Sequence, residues 1–422
     1  MRPPTPTTAP LAGLRVVEAT SFVAGPLAGM TLAQMGASVL RIDPVEGAVD
    51  GGRWPLDRSG RSLFWAGLNK GVRSVALDLR HAEGQELATA LVTAPGDGAG
   101  LFVDNTIGRP YFDHDLLRSR RDDLVHVHIQ GYADGRAAMD YAVNPRYGVP
   151  MLTRHADLDR PVNHVLPAWD IATGLLAISG LLAGLHRRAT DGSGSRIDLA
   201  LADVAAAHVA HLGWLAETEE HGHDRPRLGN HMYGAFGVDF RCSDARRVIA
   251  VAITRQQWRD LVRVTGTEEV FKVLETAHDV DLDEEGARFE YRALIEAVLA
   301  PWFARRTAAE VLRATAGTRV MVGEYRTPRE VVEAYRRGEE SAVLVDATAE
   351  GRPPMVTATS PLRWDGRYPE TSAAPRFGAD TEWALSGVLG LSDREIGSLV
   401  GRGLAGPHPP TTYHPTARRS VS

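Results

Sequence analysis

Asp170 has the setting that most suggests chemistry. It follows His164-Val165-Leu166-Pro167-Ala168-Trp169 and opens a long apolar stretch, Asp170 to Arg188, of helical character. Aspartate is a good helix N-cap, and that is one reading of the position. The other is catalytic. A carboxylate at a helix N-terminus is stabilised in its charged form by the helix dipole. A carboxylate nucleophile must be ionised, so this reading predicts Asp170 charged at neutral pH.

Other candidates carry weaker signals. The loop Ser21-Phe22-Val23-Ala24-Gly25-Pro26 lies between a predicted strand and a predicted helix, where open α/β sheets bind ligands. Asp43 ends the next strand, as the ribose-binding acid of a dinucleotide enzyme would. The G-x-G-x-x-G fingerprint is missing, however, and Pro26 removes a backbone donor. Glu219, Glu220, His221, His223 and Asp224 match no ligand spacing. They read as a solvated linker, and no metal is expected. His208 and His211 read as core or interface histidines. Lys70 is one of two lysines, the other being Lys272. It is read either as an exposed strand-edge charge or as a phosphate contact.

The elements that position these residues follow from periodicity. Leu14–Glu18, Ser38–Asp43, Val75–Leu79, Leu101–Asp104 and Leu124–Gln130 read as strands. Helical spacing over 27–36 and 81–93 separates the first four, and strand–helix–strand units of this length argue for a parallel sheet. Ile197–Leu199 is a further short strand, and Ala202–Glu217 a second apolar helix. Antiparallel strands are predicted at Phe236–Phe240 and Val248–Ile253, around a turn at Ser243-Asp244. Two or three helices follow between Arg255 and Ala316, including the acidic Asp279–Glu285. The tail after Gly406 reads as disordered.

Composition sets the class. The chain has 422 residues, 44% hydrophobic and 24% charged, with a formal net charge of −6. These values exclude a mostly disordered chain and leave no overall basic field for nucleic acid. The single cysteine, Cys242, excludes an intrachain disulfide and suits a reducing compartment. Met1–Pro10 lacks the apolar core of a leader peptide. No run of about 18 uncharged apolar residues is found, so no membrane span and a cytoplasmic location are expected.

Several segments together resemble one family. Leu11 to Glu18, Ala24-Gly25-Pro26 and Leu32 to Val39 resemble the opening of the class III CoA-transferases. Asn69-Lys70 with Arg73 to Leu79 resembles a second family segment. Asp170-Ile171-Ala172-Thr173-Gly174 resembles its Asp-x-x-Ser/Thr-Gly nucleophile motif. Gly192-Ser193-Gly194 through Asp203-Val204, and Gly229-Asn230-His231 with Tyr233 to Phe236, continue the likeness in order. Gly52-Arg53-Trp54-Pro55, Phe64 to Lys70, Asp140-Tyr141 with Val143-Asn144-Pro145, and Val162 to Asp170 resemble those members that move CoA between the two carboxyl groups of one mesaconate. Three features depart from family patterns. Asn144-Pro145-Arg146-Tyr147-Gly148 stands where a Gln-Ala-x-Ser-Gly segment is usual. No glycine-rich loop lies near Thr254–Trp258. Met139 occupies the place of the histidine that related racemases use, and a thioether cannot exchange a proton.

The resemblance implies a large Rossmann-like α/β domain built from both chain ends plus a smaller α/β domain. It implies boundaries at 11–224, 225–325 and 326–405, with a disordered tail at 406–422, and a ring-like chain in an interlocked homodimer. The implied substrate is an acyl-CoA, with no separate cofactor and with neither nucleic acid nor membrane as partner. Asp170 is implied as the nucleophile, carrying CoA as an aspartyl thioester. Val23, Arg41, Lys70, Leu77, Arg80 and Asn105 are implied contacts of CoA, with Arg41 and Arg80 suited to phosphates. His164, Trp169 and Asp140 are implied substrate contacts. An intermolecular transferase for another dicarboxylic acid is the alternative within the family.

Overall fold

Short strands rich in valine, isoleucine and leucine pair into one parallel sheet. They are β1 (Arg15–Ala19), β2 (Ser38–Pro44), β3 (Arg73–Leu77), β4 (Leu101–Asp104), β5 (Val125–Gln130) and β6 (Ser195–Ala200). The sheet order is β3-β2-β1-β4-β5-β6, and every neighbouring pair is parallel. This is the computed structural model of the chain, which describes residues 9–153, 159–348 and 353–406. The predicted disordered tail lies outside the described residues.

β1 sits beside β4, where the winding of the sheet reverses. Open α/β sheets bind ligands beyond the carboxyl ends of the strands at such a switch point. Helix Ala24–Gln34 follows β1, and helix Ala168–Asp191 packs on the same face, over a core that includes Val16, Ala28, Leu32, Val103, Val127, Ala177 and Leu181. The opposite face buries Val17, Leu40, Val75, Phe102, Leu91 and Leu117. Helix Ala168–Asp191 has the length and hydropathy of a membrane-crossing helix. That modifies the expectation of no such span. Its buried side is part of the sheet's core.

The chain divides into two compact units. The first comprises Met1–Tyr147, Val165–Ala216 and Ser341–Ser422, and the second Gly148–His164 and Glu217–Glu340. N-terminal and C-terminal segments of the chain meet in the first. The Thr381 hydroxyl accepts from the Ala76 amide at 3.0 Å, and the Ser74 hydroxyl accepts from the Gly378 amide at 2.8 Å.

The second unit contains an antiparallel sheet of β7 (Phe236–Arg241), β8 (Arg247–Ala252) and β9 (Met321–Glu324). Phe236, Phe240, Trp258, Leu261, Leu299 and Phe303 fill its core.

Two helix expectations are corrected. Five helices, not two or three, lie between Arg255 and Ala316: Arg255–Thr265, Glu268–His278, Glu285–Glu290, Arg292–Ala304 and Ala308–Thr315. The acidic 279–284 segment is a break between helices, because Asp279 takes a left-handed φ of 49° that ends one helix. The helix predicted over Ala202–Glu217 breaks at Gly213, whose φ is +77°. It continues as Trp214–His221 into the predicted linker.

Candidate active site

Helix Ala168–Asp191 begins two residues before Asp170, and its N-cap position is Pro167, which makes no side-chain cap. The cap comes from elsewhere. Asp140, first residue of helix Asp140–Arg146, accepts from the Trp169 and Asp170 amides with Oδ2, at 2.7 and 3.1 Å. Asp140 thus satisfies helical donors that would otherwise be orphaned, and leaves the Asp170 carboxylate free of a capping duty.

Close backbone packing sets the height of Asp170. A Cβ on Gly174, one turn further on, would lie 2.6 Å from the Ala24 carbonyl oxygen. Only glycine permits helix Ala168–Asp191 to approach helix Ala24–Gln34 so closely. Gly25 plays the same part against Thr20, where a Cβ would lie 2.2 Å from the threonine Cβ.

Asp170 lines a cavity of about 400 Å³ with Phe22, Val23, Arg53, Phe64, Asn105, Gln130, Met139, Asp140 and Tyr141. The walls are mainly apolar. Burial, aided by the neighbouring Asp140 charge and opposed by Arg53, pushes the Asp170 carboxyl up to about 7. The expectation that the helix dipole keeps it ionised is therefore corrected. Desolvation outweighs the dipole, and the group is poised near neutrality. A poorly solvated carboxylate of raised basicity is a better nucleophile once ionised.

Phe22 gives the loop between β1 and the Ala24 helix its shape. It is a non-glycine residue with φ of 69°, and its amide donates to Asp50 Oδ2 at 2.8 Å. Asp50 is held by Arg41, whose Nη2 donates to Oδ1 at 2.8 Å. Arg41 also donates to Asp43 at 3.0 Å and to Asn69 at 2.8 Å, and is fully buried. The Arg41 guanidinium is thus turned to the interior partners Asp43, Asp50 and Asn69. Burial of so many charges costs free energy, and it pushes the Glu18 carboxyl up to about 7.

The remaining implied contacts are placed as follows. Val23 and Asn105 line the Asp170 cavity. The Asn105 side chain accepts from the Ser21 amide at 3.1 Å and donates to the Ser21 carbonyl at 3.0 Å. Leu77 is a fully buried β3 residue in the core. Arg80 is 74% exposed and pairs with Glu46 and Asp78. Lys70 is buried, donates to the Gly67 carbonyl at 2.8 Å and the Thr357 hydroxyl at 3.0 Å, and lines a separate cavity of about 200 Å³. Trp169 turns its indole Nε1 to Asn144 Oδ1 at 3.1 Å and packs near Leu201 and Ala202 rather than lining the cavity. His164 belongs to the second unit.

Arg53 was visible in the sequence only as part of the resemblance. The structure puts it in the cavity with Asp170, its guanidinium 5.7 Å from the Phe22 ring centroid and 5.1 Å from that of Phe64. Stacking on rings leaves its N–H fork for a carboxylate. A second cavity, of about 300 Å³, shares Ser21, Asn105 and Ile107 with the first and reaches Pro44, Leu79 and Arg109. Together they follow the carboxyl edge of the sheet across the β1–β4 switch point.

A buried aspartate under a glycine-permitted helix contact, beside a long trough, agrees with what comparison with known proteins gives. The chain is 45% identical over 402 residues to the 2-methylfumaryl-CoA isomerase of Chloroflexus aurantiacus, covering 94% of this chain and 98% of that protein. It is 27% identical to a succinate–glutarate CoA-transferase of Agrobacterium fabrum, over 86% and 92% of the two chains. A CaiB/BaiF family protein from Brucella suis superposes with a TM-score of 0.73 at 24% identity, over 90% of this chain and 100% of that one, a likeness of fold. The model of CoA-transferase family III matches residues 11–381, and the chain belongs to that family.

Proposed function

We propose that this chain moves CoA between the C1 and C4 carboxyl groups of mesaconate (2-methylfumarate), acting as a 2-methylfumaryl-CoA isomerase. The observation that carries this reading is the near end-to-end likeness at 45% identity to the Chloroflexus enzyme, in a chain that keeps Asp170 in an apolar cavity beside Arg53.

The chemistry follows from those residues. The Asp170 carboxylate attacks the acyl thioester, and CoA leaves as thiolate, giving a mixed anhydride. The thiolate then attacks the Asp170 carbonyl, forming the aspartyl-CoA thioester and freeing mesaconate. The other carboxylate of mesaconate attacks that thioester, and the steps run in reverse. Dividing one exchange into steps of similar height is how covalent catalysis acts. Mesaconate that stays beside the thioester need not be recaptured from solution, and effective molarities of about 10⁵ M or more are reached by well-oriented groups. In this reading Arg53 holds the carboxylate that is not reacting, the apolar walls exclude water, and CoA extends along the adjoining cavity with Arg109 toward its phosphates. Met139 lines the cavity and offers no proton-exchanging group.

A homodimer belongs to the same proposal. Val165, Leu166, Leu175, Leu176, Leu212 and Leu215 are exposed on the first unit, from 41% to 87%, an apolar surface that a second copy would cover.

The test is to supply mesaconyl-C1-CoA and resolve the C4 isomer by chromatography, with labelled free mesaconate present. Isomer without label supports intramolecular transfer. Label entering the thioester favours intermolecular transfer, and no isomer rejects the intramolecular reading.

A further inference from the structure

A different cavity, of about 440 Å³, lies over β4, β5 and β6 and is lined by Asp104, His126 and His128 together with Thr106, Arg109, His114 and Arg196. Strand alternation puts His126 and His128 on one face of β5. The parallel register sets Asp104 of β4 directly beside His128. Asp104 Oδ1 hydrogen-bonds with His126 Nε2 at 2.9 Å and with His128 Nδ1 at 2.7 Å. One donor atom from each of the three lies within 4.8 Å of the other two.

The outer atoms of His126 and Asp104 are also held. His126 Nδ1 faces His114 Nδ1 at 3.3 Å, and the Thr106 hydroxyl donates to Asp104 Oδ2. Metal-ligating histidines and carboxylates characteristically have their far atoms fixed in this way. Asp104 and His126 are buried, at 1% and 3% exposure, while His128 stands at the cavity wall with its side chain 20% exposed.

We infer that Asp104 Oδ1, His126 Nε2 and His128 Nδ1 form a site for one divalent first-row transition ion. Two imidazoles and one carboxylate on one face suit zinc, cobalt or iron(II) and leave positions open to the cavity. Ligand atoms about 2.1 Å from such an ion stand about 3.0–3.4 Å apart. The two carboxylate–imidazole separations, 2.9 and 2.7 Å, need to widen only slightly. Neutral rings meet the requirement by tautomer: His126 carries its proton on Nδ1, donated to His114, and His128 carries its own on Nε2. Arg109 and Arg196 line the same cavity, so the open positions favour an anionic co-ligand. Asp170 lines a different cavity, while Thr106 and Arg109 stand in the wall between this cavity and the one proposed for CoA.

The test is cobalt(II) titration of the full chain after dialysis against a chelator, followed by visible d–d absorption. One equivalent per chain is expected to give the bands. His128→Gln, a change at the cavity wall, should abolish them. Thr106→Val and His114→Gln should each weaken affinity by roughly 10- to 100-fold. The double variant His221→Gln, His223→Gln should bind as the parent does, which separates this site from the exposed imidazoles. Thermal melts by circular dichroism check that each variant folds. Absence of stoichiometric bands in the parent chain, or their survival in folded His128→Gln, would overturn the inference.

Discussion

The Arg41 cluster gathers Glu18, Asp43 and Asp50 around one guanidinium, and the Asp170 cavity sets two carboxylates beside Arg53. In the first, Arg41 is fully buried and donates to Asp43, Asp50 and Asn69. In the second, Asp140 spends one oxygen on the Trp169 and Asp170 amides, and its Oδ1 is buried without a partner. Arg53 rests on aromatic rings instead of on an acid. Charge that is matched in the interior builds a support for the Phe22 loop. Charge that is left unmatched at a cavity wall remains for a substrate. Substitutions at the two places should therefore act on different quantities.

The largest effect is expected at Asp170. Asp170→Asn keeps the shape, and Asp140 still caps the helix, so the chain should fold. The amide is a poor nucleophile, and kcat should fall by about 10³-fold or more, as for loss of a covalent catalyst. Borohydride added with substrate should reduce the aspartyl thioester to an alcohol, read as a mass change on the Asp170 peptide. A mark on another acid would break the comparison. Since the ionised form reacts, kcat/KM in the parent should rise with pH and level off above about 7. The linked stability has the opposite sign. A carboxyl raised in the folded state contributes stability below its unfolded pKa and loses it as pH rises through about 7. Asp170→Asn should thus melt higher than the parent at pH 8, and the gap should close as pH falls toward 4.

Arg41→Ala is expected next, and in stability rather than chemistry. Removing one partner of a buried ion pair leaves uncompensated charge and costs about 3–5 kcal/mol, a large part of a typical domain's stability. Urea unfolding measures it. A stable Arg41→Ala enzyme with only a raised KM would mark Arg41 as a CoA contact.

These two sites also show how far the sequence could be read. β4 was legible to the residue, because Leu101–Asp104 is a short apolar run closed by turn residues. Asp170 stood out by its motif, and it does line a cavity, but its charge state was not legible: the neighbouring Asp140 lies 30 positions away, and the burial comes from tertiary packing. The surroundings of Arg41 were not legible for the same reason. Its partners Asp50 and Asn69 lie 9 and 28 positions on and meet it only in the folded sheet. The Asp104 cluster was missed although His126-x-His128 falls within a predicted strand, because its carboxylate comes from the neighbouring strand.

Arg53→Gln sharpens the comparison from the cavity side. A charge-assisted contact to the resting carboxylate is worth about 1.5–3 kcal/mol, or roughly 10- to 150-fold. If Arg53 holds that carboxylate equally in ground and transition states, the loss falls on KM. Monocarboxylic acyl-CoA analogues should bind the variant and the parent alike. A uniform loss for both substrates would place Arg53 with the structural residues.

The smallest effect is expected at Arg80. Like Arg41 it is a cation paired with two acids, but it is 74% exposed and its partners Glu46 and Asp78 are themselves near solvent. Exposed pairs contribute about 0–1 kcal/mol, because water solvates the separated charges almost as well as they solvate each other. Arg80→Ala should therefore leave the melting temperature nearly unchanged and weaken further in its effect as salt is added. Arg80 lines neither the Asp170 cavity nor the one adjoining it, so KM for the CoA thioester should also stay close to that of the parent. A tenfold rise in KM that fades at high ionic strength would show that CoA phosphates reach Arg80 and displace Glu46. The trough would then extend beyond Leu79, and a cation already paired with acids could still serve a substrate, provided that it stands at the surface.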